Sequence, residues 1–518
     1  MARAQGDNMA PKQEEVPLAL ITLALSLGTF MQVLDTSIAN VSIPAIAGKL
    51  AVSPDQGAWV ITSFAVSNAI ALPLTGFLAR RIGEVRLFVF ATLLFTLASW
   101  ACGLAPNLPI LLFFRVIQGA VGGPMIPLSQ SLLLRSYPPE KKGLALGLWS
   151  MTVVVAPILG PILGGYITDN ISWPWIFYIN IPVGIFTAFT VWELLADKET
   201  PRQYVPIDTI GVILLVIGVG ALQILLDRGN DLNWFGSDTI VTLAIIACVA
   251  IAFFIAWELT DAHPVVDLRL FKIRNFAIGT TAMSLGYLVF FGGIVIFPLW
   301  LQTNLGYTAI WAGLAAAPIG ILSVILTPLV GRSLHRIDLR LITTVSFLIF
   351  AFVSFWTASF PSNVDFDHLI WPRLVQGAAM ATFFVPTVTM VLSGLPPARV
   401  ASAAGLSNFM RLLAGSFGTS LSITLWTRRS TFHLYRLQSA LAPEDPLVRH
   451  SLRVLKRHGL STHAADKVLL EIAKSHAVVM ATEDFFWLSG WIFLGLLVLV
   501  WFAKPPFGQG PPGGGGAH

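Results

Sequence analysis

The chain has 518 residues, of which 55% are hydrophobic and only 11% charged, with a mean hydropathy of +0.76. Soluble domains carry about 25% charged residues, so this composition excludes a soluble globular protein and predicts an all-α integral membrane protein. The net charge of +5 does not indicate nucleic acid, because most Lys and Arg lie in short segments between apolar runs.

Runs long enough to cross about 30 Å of hydrocarbon are predicted at 17–39, 57–79, 85–104, 109–134, 143–168, 174–194, 208–227, 239–257, 276–301, 310–331, 340–360, 366–393, 400–427 and 483–503. An even count of fourteen puts both termini on one side. With the N terminus inside, the inner segments hold Arg3, Lys12, Arg80, Arg81, Arg86, Arg135, Lys141, Lys142, Lys198, Arg202, Arg269, Lys272, Arg274, Arg332, Arg336, Arg340, Arg399 and Lys504. The short outer loops hold only Lys49 and Arg228, which predicts an N-in, C-in topology. The segment 428–482 carries nine Lys and Arg and is still assigned outside, because long loops are read poorly by the charge rule. The first run is too long for the apolar core of a signal peptide and is expected to remain as a span. Cys102 and Cys248 lie inside apolar runs, so no disulfide framework and no metal site are expected.

The first run, 18–46, carries one carboxylate, Asp35. Thr29, Gln32, Thr36 and Asn40 recur at steps of three or four and share a helix face beside it. An ionisable group in hydrocarbon faces a protein interior or a wet cavity and marks a pathway, so Asp35 reads as a proton-accepting site. A structurally paired or snorkelling acid is the alternative.

After the second run, 76–86 reads as a short inner loop in which Arg80 and Arg81 cap helix ends and Gly83 permits a tight connection. A plain positive loop would look the same. Arg115 enters the fourth run at a depth similar to that of Asp35, roughly 9 Å below the outer face at 1.5 Å per residue. The two are expected to pair, either as a tunable proton site or as a static ion pair. In the fifth run, Pro157, Gly160, Pro161, Gly164 and Gly165 provide small-residue helix contacts and bends, and Gly119 with Gly123 offers a second small-residue face.

The chain also repeats itself. Arg115-Val116-Ile117-Gln118-Gly119 recurs as Arg373-Leu374-Val375-Gln376-Gly377, 258 residues on. Pro138, Pro139, Gly147 and Gly160 fall on Pro396, Pro397, Gly405 and Gly418 at the same offset. The fourth run thus corresponds to the twelfth, eight later, which predicts two six-helix halves with two extra spans between them. The expected units are 1–194, an inserted pair within 195–275, and 276–518 including the outer loop 428–482. Parallel halves with a site between them are a transporter architecture.

These stretches resemble the signature motifs of major facilitator drug:proton antiporters. They are Leu34-Asp35-Thr36-Ser37-Ile38-Ala39-Asn40-Val41, the segment 76–86, Arg115 with Gln118 and Gly119, and 157–165. The fourteen runs resemble the fourteen-helix branch, and the match extends to Trp173 through Pro182 and Trp501 through Gly508. The resemblance implies proton-driven export of lipophilic toxicants from a bacterial inner membrane. It also implies a membrane-fusion adaptor of the EmrA type and an outer-membrane channel of the TolC type, with no cofactor beyond the proton motive force. In that family the matching Asp35 and Arg115 are linked to proton coupling, and the 157–165 motif to antiport. Arg80 stands where the superfamily loop has Asp, so the usual gate latch through that Asp does not carry over.

In 428–482, Val448, Leu452 and Leu455 share a face of one amphipathic helix that Gly459 stops. Val468, Leu469 and Ile472 share a face of another, capped by Ser461 or Thr462. The pair reads as a partner-binding hairpin or a lid. His433, His450, His458, His463 and His476 lack zinc spacing and are expected to be solvated. The Gly/Pro tail after Lys504 reads as a flexible end.

No GxxxxGK[ST] or HExxH sequence is present, which removes the readings of an ATP-driven pump and a zinc protease. Asp35 is the one acid deep in a run, against Arg115, Arg373 and Arg411. Tyr287, Phe290, Phe291, Phe297 and Trp300 offer an apolar wall, with a lipid-facing role open for about half of them. The candidate substrate contacts are Gln32, Thr36, Asn40, Gln118, Tyr287, Phe291 and Arg411, and the expected cargo is neutral or weakly acidic and lipophilic. A dedicated exporter of one metabolite, such as a fatty acid or a siderophore, is the runner-up.

Overall fold

The computed structural model describes residues 18–204, 206–334, 336–362, 364–440, 446–457, 461–505 and 507. Arg3 and Lys12 of the charge count, the stop at Gly459, His458 and the Gly/Pro tail lie outside the described residues.

Among the described residues every regular element is a helix. The first part of the chain forms α1 (Leu18–Lys49), α2 (Pro54–Ala71), α3 (Thr75–Ile82), α4 (Glu84–Gly103), α5 (Leu108–Gly122), α6 (Met125–Ser136), α7 (Lys142–Asn170), α8 (Trp175–Tyr178) and α9 (Asn180–Leu195). Next come α10 (Thr209–Arg228) and α11 (Asp238–Thr260). The last part forms α12 (Arg274–Asn304), α13 (Ala309–Ala316), α14 (Ile319–Ser333), α15 (Leu339–Ala358), α16 (Phe366–Leu392), α17 (Pro397–Ala440), α18 (Pro446–Arg457) and α19 (Thr462–Val500).

Proline sets the breaks within runs. Pro73 separates α2 from α3, Pro124 follows Gly122 and Gly123 between α5 and α6, and Pro318 divides α13 from α14. Each lacks the N–H that would continue the ladder. Among the described residues, eleven helical segments are long and apolar enough to cross a bilayer. Two bent pairs, broken by 62° after Ala71 and by 44° after Pro157, raise this to thirteen. The remaining predicted run, 400–427, lies within α17, where Asn408, Arg411 and several serines dilute the apolar content.

Side-chain packing repeats along the chain. α1 lies along α7 and α2 on α5; α12 lies along α17 and α14 on α16. α4 packs on α9 as α15 packs on α19. α10 and α11 pack on each other, with α10 also touching α2 and α17.

Two expectations are corrected by the fold. The segment 76–86 is not a loop: Gly76, Arg80 and Arg81 are helical in α3, and only Gly83 separates α3 from α4. Gly83 takes φ +98°, a left-handed backbone that favours glycine. The segment 428–482 is also more helical than expected. Ser461 does cap the second of its expected helices, its Oγ accepting from Ala464 N, but α19 then runs without interruption into the last apolar run.

Both α17 (44 residues) and α19 (39 residues) outrun the hydrocarbon layer: at 1.5 Å per residue they are about 66 and 58 Å long against a layer of about 30 Å. α18 packs back on α19, with Val448 buried, while Ile472 is exposed and Ala465, Ala473 and Ala477 are buried in its place.

Candidate proton-coupling and substrate site

Asp35 sits on α1 and is fully buried, as is Arg115 on α5. Arg115 Nη1 donates to Asp35 Oδ2 at 2.5 Å. The other carboxylate oxygen, Oδ1, accepts from Gln118 Nε2 and from Asn180 Nδ2, each at 3.0 Å. The Asn180 amide also donates to Ser99 Oγ on α4, which in turn donates to Phe177 O. Arg115 is held independently, by Val60 O at 2.9 Å, by Gln118 Oε1 at 2.8 Å and by the face of Phe64, 4.3 Å from the guanidinium. The fully buried carboxylate is thus matched by one cation and two amide donors.

Sequence reasoning expects Asp35 and Arg115 to pair and offers Gln118 only as a substrate contact, where the structure adds it to the pair. It misses Asn180, Ser99 and Phe64, which carry no charge and lie in runs that read as plain apolar helix. Of the other polar candidates, Gln32 is buried and its Oε1 has no donor, while Thr36 Oγ1 donates to Gln32 O at 3.3 Å. Asn40 is exposed and stands outside the Asp35 network.

Glycine seats α1 against α7. A Cβ on Gly160 would collide with Ser37, and one on Gly164 would meet Ile38 O at 2.9 Å. Ser37 Oγ also donates to Pro157 O at 3.1 Å. Gly165 faces open space and has no such contact, and Pro161 is exposed. Pro157 marks the bend in α7.

A second cluster joins the two ends of the chain. Trp149 on α7 donates its Nε1–H to Thr29 Oγ1 and Ser129 Oγ and stacks on Phe384 of α16, centroids 5.9 Å apart. Arg411 on α17 lies over Tyr287 and Phe384, 5.0 and 6.0 Å from their centroids. Its Nε and Nη2 donate to Asn408 Oδ1, and Asn408 Nδ2 donates to Gln130 Oε1 on α6 at 2.9 Å. Tyr287 and Phe291 are 5.6 Å apart. The expected single wall on α12 is divided: Tyr287, Phe290 and Phe291 join this cluster, whereas Phe297 and Trp300 belong to a separate apolar core with Phe360 and Phe485. The lipid-facing alternative does not hold for Tyr287, Phe290, Phe297 and Trp300, all of which are buried.

At the end of the molecule where the described chain begins, glycines bring helices into backbone contact. Gly76 abuts Ser402, Gly143 abuts the carbonyl of Gly331, and a Cβ on Gly147 would meet Thr327 O at 3.0 Å. Beside them, Glu199 caps α4: its carboxylate accepts from Val85 N at 3.1 Å and Arg86 N at 2.9 Å, while Thr200 Oγ1 accepts from Glu84 N. Gln203 N donates to Arg80 O, and Arg81 lies over Tyr204. Arg80 Nε is buried without an acceptor.

One of the histidines departs from the solvated expectation. His433 is buried, and its Nε2 lies 2.7 Å from Asp484 Oδ2, which also takes Arg429 Nε at 2.6 Å. His450, His463 and His476 are exposed. Among the described residues no group of three or more His, Cys, Asp or Glu side chains is placed to hold a metal.

The family model described as Major Facilitator Superfamily matches residues 25–419. The chain belongs to the Major Facilitator Superfamily. Members of this superfamily are transporters, and the chain is a multi-pass membrane protein of that kind. It is 53% identical to the multidrug export protein EmrB of Escherichia coli K12 over 506 residues, covering 98% of this chain and 99% of the relative. It is 49% identical to the fatty acid resistance protein FarB of Neisseria gonorrhoeae over 508 residues, covering 98% and 99%. Among solved structures, a double-Trp variant of XylE aligns with a TM-score of 0.62 at 15% identity, covering 94% of this chain and 96% of that one. That likeness shows the superfamily fold and no more.

Proposed function

We propose that this major facilitator protein is a proton-driven multidrug efflux antiporter that exports hydrophobic toxic compounds by alternating access. The observation that carries the reading is the sealed network of Asp35, Arg115, Gln118 and Asn180. It is a charged group at a cost in the core, built on the helix that α7 grips through Gly160 and Gly164. Relatives named for multidrug export support the cargo. Protonation of Asp35 removes the charge that Arg115 and the two amides hold, and α1 is then free to move against α5 and α9. The chain Thr29–Trp149–Phe384–Arg411 offers a contiguous route from that helix to the aromatic cluster.

In this reading α17 supplies the thirteenth span and brings the count to fourteen, the termini are cytoplasmic, and 1–194 and 276–518 are two six-helix halves around the inserted α10 and α11. The protein then resides in a bacterial inner membrane, and α18 with the first half of α19 forms a periplasmic hairpin. A membrane-fusion adaptor of the EmrA type docks there and leads to an outer-membrane channel of the TolC type. Tyr287, Phe291 and Arg411, with Gln32 and Thr36 on the helix of Asp35, contact cargo that is neutral or weakly acidic, whereas Gln118 is taken up by Asp35 and Arg115. The FarB relative supports a second reading, a dedicated fatty-acid exporter.

The test is transport by purified protein in vesicles under an imposed pH gradient, scanning unrelated lipophiles and fatty acids. Uphill movement of several unrelated compounds is expected. Movement of fatty acids alone would favour the second reading, and no response to the gradient would overturn proton coupling.

A further inference from the structure

Arg115 and Arg373 occupy matching places in the repeated sequence, 258 residues apart, and both are buried, at 0% and 4% exposure. Their surroundings differ in charge. Arg115 has a carboxylate and two neutral acceptors. Arg373 Nη2 donates to Thr357 Oγ1 at 2.7 Å, its Nε has no acceptor, and among the described residues it has no ion-pair partner. Two rings flank it, Phe297 at 4.2 Å and Phe486 at 5.8 Å from their centroids.

A guanidinium stays charged in a protein, and an uncompensated buried charge is strongly destabilising. Cation–π contact returns only a small part of that cost. Two further observations indicate what makes up the difference. Trp300, one turn beyond Phe297 on α12, is buried with its indole N–H also lacking an acceptor. One turn before Phe297, Gly293 is buried, and a Cβ there would meet only Phe486 Cε1, at an ordinary contact distance of 3.7 Å. Among the described residues the same region therefore holds a cation without an ion pair, two N–H donors without acceptors and a glycine that no second side chain crowds. Native proteins seldom leave such donors unmatched.

We propose that the space among Gly293, Phe297, Trp300, Thr357, Arg373 and Phe486 binds one small monovalent anion, chloride in the cell, as the counter-ion of Arg373. The first half of the chain carries its counter-ion covalently, as Asp35; the second half borrows one from solution. The aromatic packing that leaves Arg373 only 4% exposed shuts out the carboxylate of a drug-sized molecule. Arg115 has no need of the ion, so the site acts on the fold of the second half and not on the proton site.

An anion that binds only the folded state raises its stability in proportion to the logarithm of concentration. The experiment follows thermal unfolding of the purified full chain in detergent, exchanging sodium gluconate for sodium chloride at constant ionic strength. The midpoint is expected to rise with chloride. Arg373→Leu is expected to abolish the dependence, and because that variant risks misfolding, Gly293→Asp serves as the second. It sets a carboxylate beside Phe486, one turn from Phe297 and on the side of Arg373, so it is expected to melt at or above the wild-type value in gluconate and to ignore chloride. A lipophilic carboxylic acid added in gluconate is expected to leave the wild-type dependence on chloride intact. The inference is overturned if the wild-type midpoint is equal in both salts, if Gly293→Asp keeps the full chloride response, or if the lipophilic acid substitutes for chloride.

Discussion

Asn180 Nδ2 donates to Asp35 Oδ1 at 3.0 Å, so the first residue of α9 holds the one acid buried deep in α1. The same amide reaches Ser99 on α4. Three elements besides α1 therefore converge on a single carboxylate: α5 through Arg115 and Gln118, α9 through Asn180, and α4 through Ser99. Moving that carboxylate means moving α1 relative to all of them.

Asp35→Asn is expected to abolish pH-driven efflux. A returning proton supplies about 1.4 kcal/mol per pH unit and about 2.3 kcal/mol per 100 mV, and an amide takes up none of it. Arg115 keeps Val60 O and Gln118 Oε1 as acceptors, so the variant is expected to purify as a monodisperse protein. Transport into vesicles measures the first expectation and size-exclusion chromatography the second. Undiminished uphill transport would remove Asp35 from the coupling role.

Asn180→Leu takes one donor away from the charged carboxylate while leaving the Arg115 pair in place. A charge-assisted hydrogen bond is worth about 1.5–3 kcal/mol, so the network around Asp35 is weakened and proton-driven transport is expected to fall about tenfold or more. Transport into vesicles under a fixed pH gradient reads the loss. An unchanged rate would reduce Asn180 to a packing residue.

The Asp35–Arg115 pair is legible because both are charged residues in apolar runs, and hydrocarbon makes such residues informative. Asn180 is not legible, since a single amide at the start of a helix has no periodic signal. The tight connection at Gly83 is legible, but its helical flanks are not: 76–86 is rich in Arg and Gly, which suits a loop, yet tertiary contact with Glu199 carries the helices to within one residue of each other. In 428–482, local pattern locates α18 well but misses the continuity of α19, because its polar half and its apolar half look like different elements.

Gly143→Leu is expected to impair closure at the end of the molecule where the described chain begins. The new side chain would press against the carbonyl of Gly331, and overpacking of this kind costs about 1–3 kcal/mol. Since about 1.4 kcal/mol is tenfold in a population, the open form at that end is expected to gain roughly tenfold. Labelling of a cysteine placed on α7 near Leu146 reports it as faster modification from that side. Unchanged labelling would show that the glycine contact is not part of a moving gate.

Glu199→Ala removes the cap from α4, freeing Val85 N and Arg86 N. Loss of an N-terminal cap costs about 0.5–2 kcal/mol, so a lower unfolding midpoint is expected, with Glu199→Gln falling between the variant and wild type. Thermal unfolding in detergent measures both. Equal midpoints for all three would mean that Thr200 and Gln203 hold the turn at Gly83 without the carboxylate.

If the protein exports drugs as proposed, charge is expected to decide which of them it moves. Cations need a carboxylate in the pocket, yet Asp35 is sealed behind Arg115, Gln118 and Asn180. Arg411 is partly exposed between Tyr287, Phe384 and Asn408, and no carboxylate neutralises it among the described residues. A flat lipophilic acid can lay its ring on that aromatic cluster and its charge on the guanidinium. An acidic uncoupler is therefore expected to be moved faster than a dicationic disinfectant at equal concentration in vesicles. Arg411→Gln is expected to lower the uncoupler rate about tenfold, because a hydrogen bond to a charged partner is worth about 1.5–3 kcal/mol, and to leave a neutral lipophile little affected. Faster movement of the dication by the wild type would overturn the charge argument. An equal loss for neutral and acidic cargo in Arg411→Gln would assign the arginine to holding Asn408 and Gln130 in place.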